Sequence, residues 1–86
     1  MDTIEKDLKK VQRKLTNEIN RTKARLIAKA KKTGLYENFG DAEERKLRDK
    51  YAEQANPYGG YQTQRTMDEQ ISSFGRWARN FDLSDL

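Results

Sequence analysis

Cysteine and histidine are both missing from this chain. Their absence excludes disulfides, thiolate nucleophiles, imidazole bases and zinc sites of the usual Cys/His kind. There is a single proline, and large apolar residues are scarce: only fifteen of the 86 residues are Leu, Ile, Val or Phe. That fraction lies where disorder competes with folding. No apolar run approaches the roughly 18 residues needed to cross a bilayer. The first residues, Met1-Asp2-Thr3-Ile4-Glu5, are acidic and lack the apolar segment of a signal peptide. The expectation is a cytoplasmic protein without membrane contact.

What is present is charge and helical spacing. Charged residues make up 37% of the chain, yet the net charge is only +4. The few apolar residues fall at regular helical intervals, which disordered chains of such composition usually lack. Ile4, Leu8, Val11, Leu15, Ile19, Thr22, Leu26 and Ala30 repeat every three or four residues. The mean of about 3.7 fits a straight helix better than a left-handed coiled coil. Asp2 or Thr3 can cap its start, Lys29, Lys31 and Lys32 close its last turn, and Gly34 is placed for the left-handed position beyond the end. Leu35 is then the apolar partner of that cap. The pattern predicts a helix over 2–33, roughly 45 Å long.

A turn over 34–40 follows. Asp41 and Glu44 read as a capping box that opens a second helix over 42–55, with Leu47, Tyr51 and Ala55 on its inner face. Asn56-Pro57 ends it. Tyr58 to Arg65 reads as a loop. Thr66 and Glu69 form a second capping box, and the third helix is predicted over 67–82. Its face of Met67, Ile71, Phe74, Ala78 and Phe81, with Trp77 beside it, is the richest apolar surface in the chain. Gly75 inside it costs up to about 1 kcal/mol unless it permits a close approach. The tail from Asp82 reads as frayed or weakly docked. The whole is a single all-α domain: one long helix followed by a helical hairpin.

Short connections favour antiparallel neighbours, so the hairpin is expected on the C-terminal half of the first helix. That leaves Ile4, Leu8, Val11 and Leu15 uncovered, and such a stripe marks an interface. A homodimer through the N-terminal helix is the simplest cover; a different protein partner is the other.

Charge is unevenly spread. Residues 1–33 hold eleven Lys/Arg against four Asp/Glu, while the remainder is slightly acidic. At about 100° per residue, Lys6, Lys10, Arg13, Lys14, Arg21, Lys31 and Lys32 fall opposite the apolar seam, and no acidic residue shares their sector. A solubilising surface more often mixes its signs. Two readings stand: a solvated helix face, or a phosphate-tracking surface about 40 Å long, matched to one turn of a nucleic acid duplex. Lys outnumbers Arg eight to three on this helix, which suits point contacts to phosphate more than bidentate reading of guanine. An acidic protein is a third partner class.

The Tyr58–Arg65 loop can stack on unpaired bases, or is an ordinary surface loop. Phe74, Trp77 and Phe81 read as core; were the third helix partly exposed, Trp77 with Arg76 and Arg79 has the make-up of an interface hot spot. Glu37, Asp41, Glu43 and Glu44 cluster, but carboxylates belong at helix N-termini in any case. No phosphate loop or nucleophile–base pair is present, and the chain is too short to enclose a pocket. Neither catalysis nor a cofactor or metal is expected.

The run Ala30-Lys31-Lys32-Thr33-Gly34-Leu35-Tyr36-Glu37-Asn38-Phe39-Gly40, followed by Glu44-Arg45-Lys46-Leu47-Arg48-Asp49-Lys50-Tyr51, resembles a family of small uncharacterised bacteriophage proteins. These carry a lysine-rich helix, a Gly-aromatic-Glu-Asn-Phe-Gly turn and a C-terminal aromatic helix, here Phe74, Trp77, Asn80 and Phe81. Asp41 stands where that pattern has an amide, and the Tyr58–Arg65 segment reads as an insertion. The resemblance implies phage origin and no particular activity. For a small phage protein without catalytic residues it implies two roles: docking on nucleic acid or a nucleoprotein, or inhibiting a host protein such as a CRISPR effector.

Overall fold

The computed structural model describes residues 3–55 and 61–85. Three helices, α1 (Thr3–Thr33), α2 (Asp41–Ala55) and α3 (Tyr61–Arg79), precede a short 3-10 turn at Leu83–Asp85. Among the described residues there is no strand. The predicted all-α arrangement of a long helix plus a hairpin is the one observed.

Side-chain bonds give the topology. Lys50 reaches Glu18 and Arg48 reaches Ser72, so α2 runs antiparallel to both its neighbours. Thr16 donates to Gln70, and Lys23 lies over Trp77, so α3 runs parallel to α1. Leu15, Ile19, Leu26 and Ala30 from α1 meet Leu47 and Tyr51 from α2 and Met67, Ile71, Phe74 and Ala78 from α3 in one core. Thr22 is the one polar residue in that seam, and its hydroxyl accepts a bond from Arg25 at 3.2 Å. The Ala55 and Ile4 side chains lie outside those described.

Two of the expected elements are corrected. The third helix starts at Tyr61, not at residue 67, so Thr66 sits inside the helix and not at its cap. It ends at Arg79, where Asn80 and Phe81 turn back through bonds from their N–H groups to the Arg76 and Ala78 carbonyls. Part of the expected loop is therefore helix; Asn56, Pro57 and Tyr58 lie outside the described residues. The capping box at Asp41 does not form either. The Glu44 N–H donates to the Gly40 carbonyl, and its carboxylate turns instead to Arg48 and Arg79.

The hairpin also sits further along α1 than expected. The connection Gly34–Gly40 runs back along the helix it leaves. Gly34, at φ 80°, closes α1 through a bond from its N–H to the Ala30 carbonyl, as foreseen. Leu35, expected as the apolar partner of that cap, remains 40% exposed. Phe39 is buried, and Gly40, at φ 84°, packs beside Leu26 and Ala78. The turn thus covers the last turns of α1 itself, and the helices that follow reach past its midpoint.

The consequence falls on the four apolar residues expected to be uncovered. Leu15 is 0% exposed and belongs to the core, so it is not interface surface. Val11 packs partly on the core and Leu8 is half-buried. An aspartate at Leu15 would test folding and not partnership.

Glycine substitutions separate backbone from packing effects. A Cβ on Gly34 meets nothing, so Gly34→Ala carries only the left-handed penalty, about 1–2 kcal/mol. A Cβ on Gly40 would lie 2.5 Å from that of Ala78 in addition to its positive φ. Gly40→Ala should cost roughly 2–5 kcal/mol. Urea titration should rank the two in that order; equal losses would show that Gly40 does not set the packing.

Candidate functional site

Helix α1 carries two surfaces, because apolar residues on the 3.6 period fill one face and leave the opposite face to whatever lies between them. Lys6, Lys10, Arg13, Lys14, Arg21, Lys31 and Lys32 are all exposed. The structure brings them together on one side of a single continuous helix, about 39 Å from Lys6 to Lys32 at 1.5 Å per residue. Among the described residues none of the seven lies within ion-pair distance of a carboxylate.

That lack of pairing has a cause in the rest of the bundle. Glu44 is held between Arg48 at 3.1 Å and Arg79 at 3.0 Å. Glu18 accepts from Lys50 at 2.8 Å, and Glu69 from Arg65 at 3.2 Å. The half-buried Glu44 and Glu18 thus face cations of α2 and α3, while the exposed Glu69 pairs within α3. Glu44 reaches Arg79 only because α3 has Gly75 beneath its carboxylate, where a Cβ would collide with it. Three more α1 cations are turned to structural use: Arg25 bonds Thr22, Lys23 sits 5.2 Å from the Trp77 ring centre, and Lys29 sits 4.8 Å from that of Tyr36.

Glu18 marks the edge of the basic face. Burial opposes its ionisation, but hydrogen bonds from Lys50 and Tyr51 and the charges of Lys50 and Arg21 outweigh burial. The net effect holds its carboxyl below the ordinary value of 4.5. The Tyr51 phenol is pushed well above its usual range, first by its own burial and then by Glu18. Glu18 Oε2 is itself buried without a well-aligned donor.

A second surface forms at the far end of the bundle. Phe39 stacks on Phe81 with ring centres 5.3 Å apart, Trp77 lies 5.3 Å from Phe81 and 5.9 Å from Phe74, and Tyr36 meets Phe39 edge-on. Trp77 is half-buried, between the core and hot-spot readings of its sequence. Of its two arginines, Arg79 is tied to Glu44 while Arg76 is exposed. The part of Tyr36 and Phe39 in this cluster was not legible from spacing, since both sit in a turn with no period; two aromatics flanking a Glu-Asn pair were the only signal. Among the described residues no group of three acidic side chains is placed to hold a metal ion, and no helix is long and apolar enough to cross a membrane.

No family model, curated protein or solved structure matches this chain. The likeness to small phage proteins therefore rests on its motif alone.

Glu18 supplies a pH test. Because its folded value is depressed, its stabilising contribution is present above 4.5 and is lost as pH falls through the lower folded value. Thermal melts should fall steeply below that pH, and Glu18→Gln should flatten the acid limb while lowering the neutral melting temperature. An unchanged acid limb would remove Glu18 from the account.

Proposed function

We propose that this chain is a non-catalytic binding protein that docks on nucleic acid, or on a nucleoprotein, through the basic face of α1. One observation carries the reading: seven exposed cations on one helix face with no carboxylate within ion-pair distance among the described residues. A cation line of this length suits successive phosphates of a duplex backbone, and binding would release the counterions condensed there. Lys10, Arg13, Lys14 and Arg21 occupy the middle of the line and are assigned the main phosphate contacts. Five of the seven are lysines, which favours contact tolerant of base sequence. The chain would work in the cytoplasm, that of the host cell if the phage likeness holds.

The second reading is a phage-encoded inhibitor of a host protein. It finds its observation at the turn end, where Leu35, Tyr36 and Leu83 are 40%, 38% and 44% exposed. On the N-terminal half of α1 only Leu8 and Val11 remain as described candidates for that role, or for a homodimer contact.

Fluorescence anisotropy with short DNA and RNA, across a salt series, separates the two. The nucleic acid reading expects a log–log salt slope of about −4 to −6. Lys10→Glu with Arg13→Glu should weaken binding at least about tenfold and make the slope shallower by roughly 2. Arg45→Glu with Lys46→Glu changes net charge equally but lies on α2, and should weaken binding far less. Equal loss in both double variants would reduce the effect to net charge, and no binding at physiological salt would leave the stripe a solvated face.

A further inference from the structure

At its C-terminal end and just beyond, α3 presents two rows of side chains, of which Trp77 and Phe81 pack partly against the core. Ser73, Trp77 and Phe81 form one row at intervals of four, and Arg76 and Asn80 form the next. Together they line a shallow pocket of about 470 Å³ that contains no carboxylate. The Trp77 ring is held by neighbours on several sides: Phe74 at 5.9 Å and 27° between planes, Phe81 at 5.3 Å, and Phe39 at 6.3 Å. It is an aromatic plane fixed in place before anything binds, so little side-chain entropy is lost on stacking.

The polar groups around it have a definite sign. Arg76 is exposed with no ion pair among the described residues, unlike Arg79 one turn face over. The Asn80 amide nitrogen donates to the Arg76 carbonyl at 2.8 Å, which leaves the amide oxygen as an acceptor. Lys23, on the flank of α1, lies over the Trp77 ring at 5.2 Å from its centre. An aromatic pocket with one arginine on its rim, and a lysine of α1 near its central ring, is complementary to a base and its phosphate.

We propose that this pocket takes an unpaired nucleobase, stacked on Trp77 and Phe81 with Arg76 on the adjoining phosphate, from a strand held along α1. The inference rests on the nucleic acid reading above and narrows it to substrates with a single-stranded segment. A duplex keeps its bases stacked on one another and presents none to the pocket. Every base has a π-face, so stacking of this kind discriminates little between sequences, in keeping with the lysine-rich stripe.

Trp77 is the only tryptophan in the chain, so emission excited beyond the tyrosine absorption band reports on this pocket. Oligothymidylate and a blunt DNA duplex of equal length would each be titrated into the protein at low salt. Trp77 emission would be followed beside the anisotropy of the same labelled DNA. The expected result is that both DNAs bind and only the single strand quenches Trp77. Arg76→Ala with Asn80→Ala changes exposed residues and leaves the fluorophore in place. It should weaken single-strand binding about five- to tenfold and leave duplex binding unchanged. Single-strand binding with no change in emission would overturn the pocket and leave the α1 reading intact, whereas absence of binding by either DNA would overturn both. Equal quenching by the blunt duplex would overturn the requirement for an unpaired base. A blue shift that grows with protein concentration in the absence of DNA, with a dimer mass in sedimentation, would place a second copy on Trp77 and overturn the proposal.

Discussion

The contact of Gly40 with Ala78, beside Leu26, governs where every other element lies. With so few large apolar residues, the bundle cannot leave part of its seam unused. The turn after α1 must therefore do more than reverse the chain. By laying Phe39 back over the end of α1 and bringing its backbone against α3 at Gly40, it contributes to the core and starts α2 nearer the helix centre. Leu15 and Met67 are buried as a result. A side chain at residue 40 would push α3 away from the turn and loosen the aromatic cluster with it. The left-handed φ there makes glycine doubly fitting.

The same economy shapes the electrostatics. Carboxylates near the core would be destabilising alone, and Glu18 and Glu44 each meet a cation from another helix. Those cations come from α2 and α3, and of these two helices only α2 carries a slight acidic excess. The excess positive charge of α1 is left on its outer face because its own acids are few, and Glu18 faces inward to Lys50. Among the described residues none of these pairs uses a cation of the stripe, so the stripe is not needed to hold the bundle together. A feature without a stabilising role is where a binding role is most economical to propose.

Most of the secondary structure was legible because it depends on local periodicity. The seam from Leu8 to Ala30 and the α3 face from Met67 to Ala78 follow the 3.6 period, and the structure buries most of their members. Gly34 as the helix terminator was readable for the same reason. What failed was everything that depends on three-dimensional competition. Thr66 and Glu69 look like a cap in isolation, but helix α3 had already begun at Tyr61. Glu44 looks like half of a capping box, yet two arginines, one of them thirty-five residues away, offer its carboxylate a stronger bond than a backbone N–H. The site shows the same division. The seven cations were readable from angle alone, whereas the aromatic end depends on a turn bringing Tyr36 and Phe39 to Trp77 and Phe81, and no single-helix pattern contains that meeting.

Placing core and basic stripe on opposite faces of one helix has a mechanical consequence. Substitutions on the outer face of α1 touch nothing in the seam, so affinity can change there without a cost in stability. Lys23 and Lys29 are different. They lie on the flanks of α1 against aromatic rings, in cation–π contacts that contribute about 0.5–1 kcal/mol at exposed sites. A polyanion reaching from the stripe toward Trp77 would compete with the ring for the Lys23 ammonium. A bound phosphate attracts that ammonium more strongly than an aromatic face does, so in the proposed complex Lys23 would exchange its ring contact for a phosphate. On the proposed reading, that exchange at one side chain links the stripe to the Trp77 pocket, with no change required in the helices that carry them.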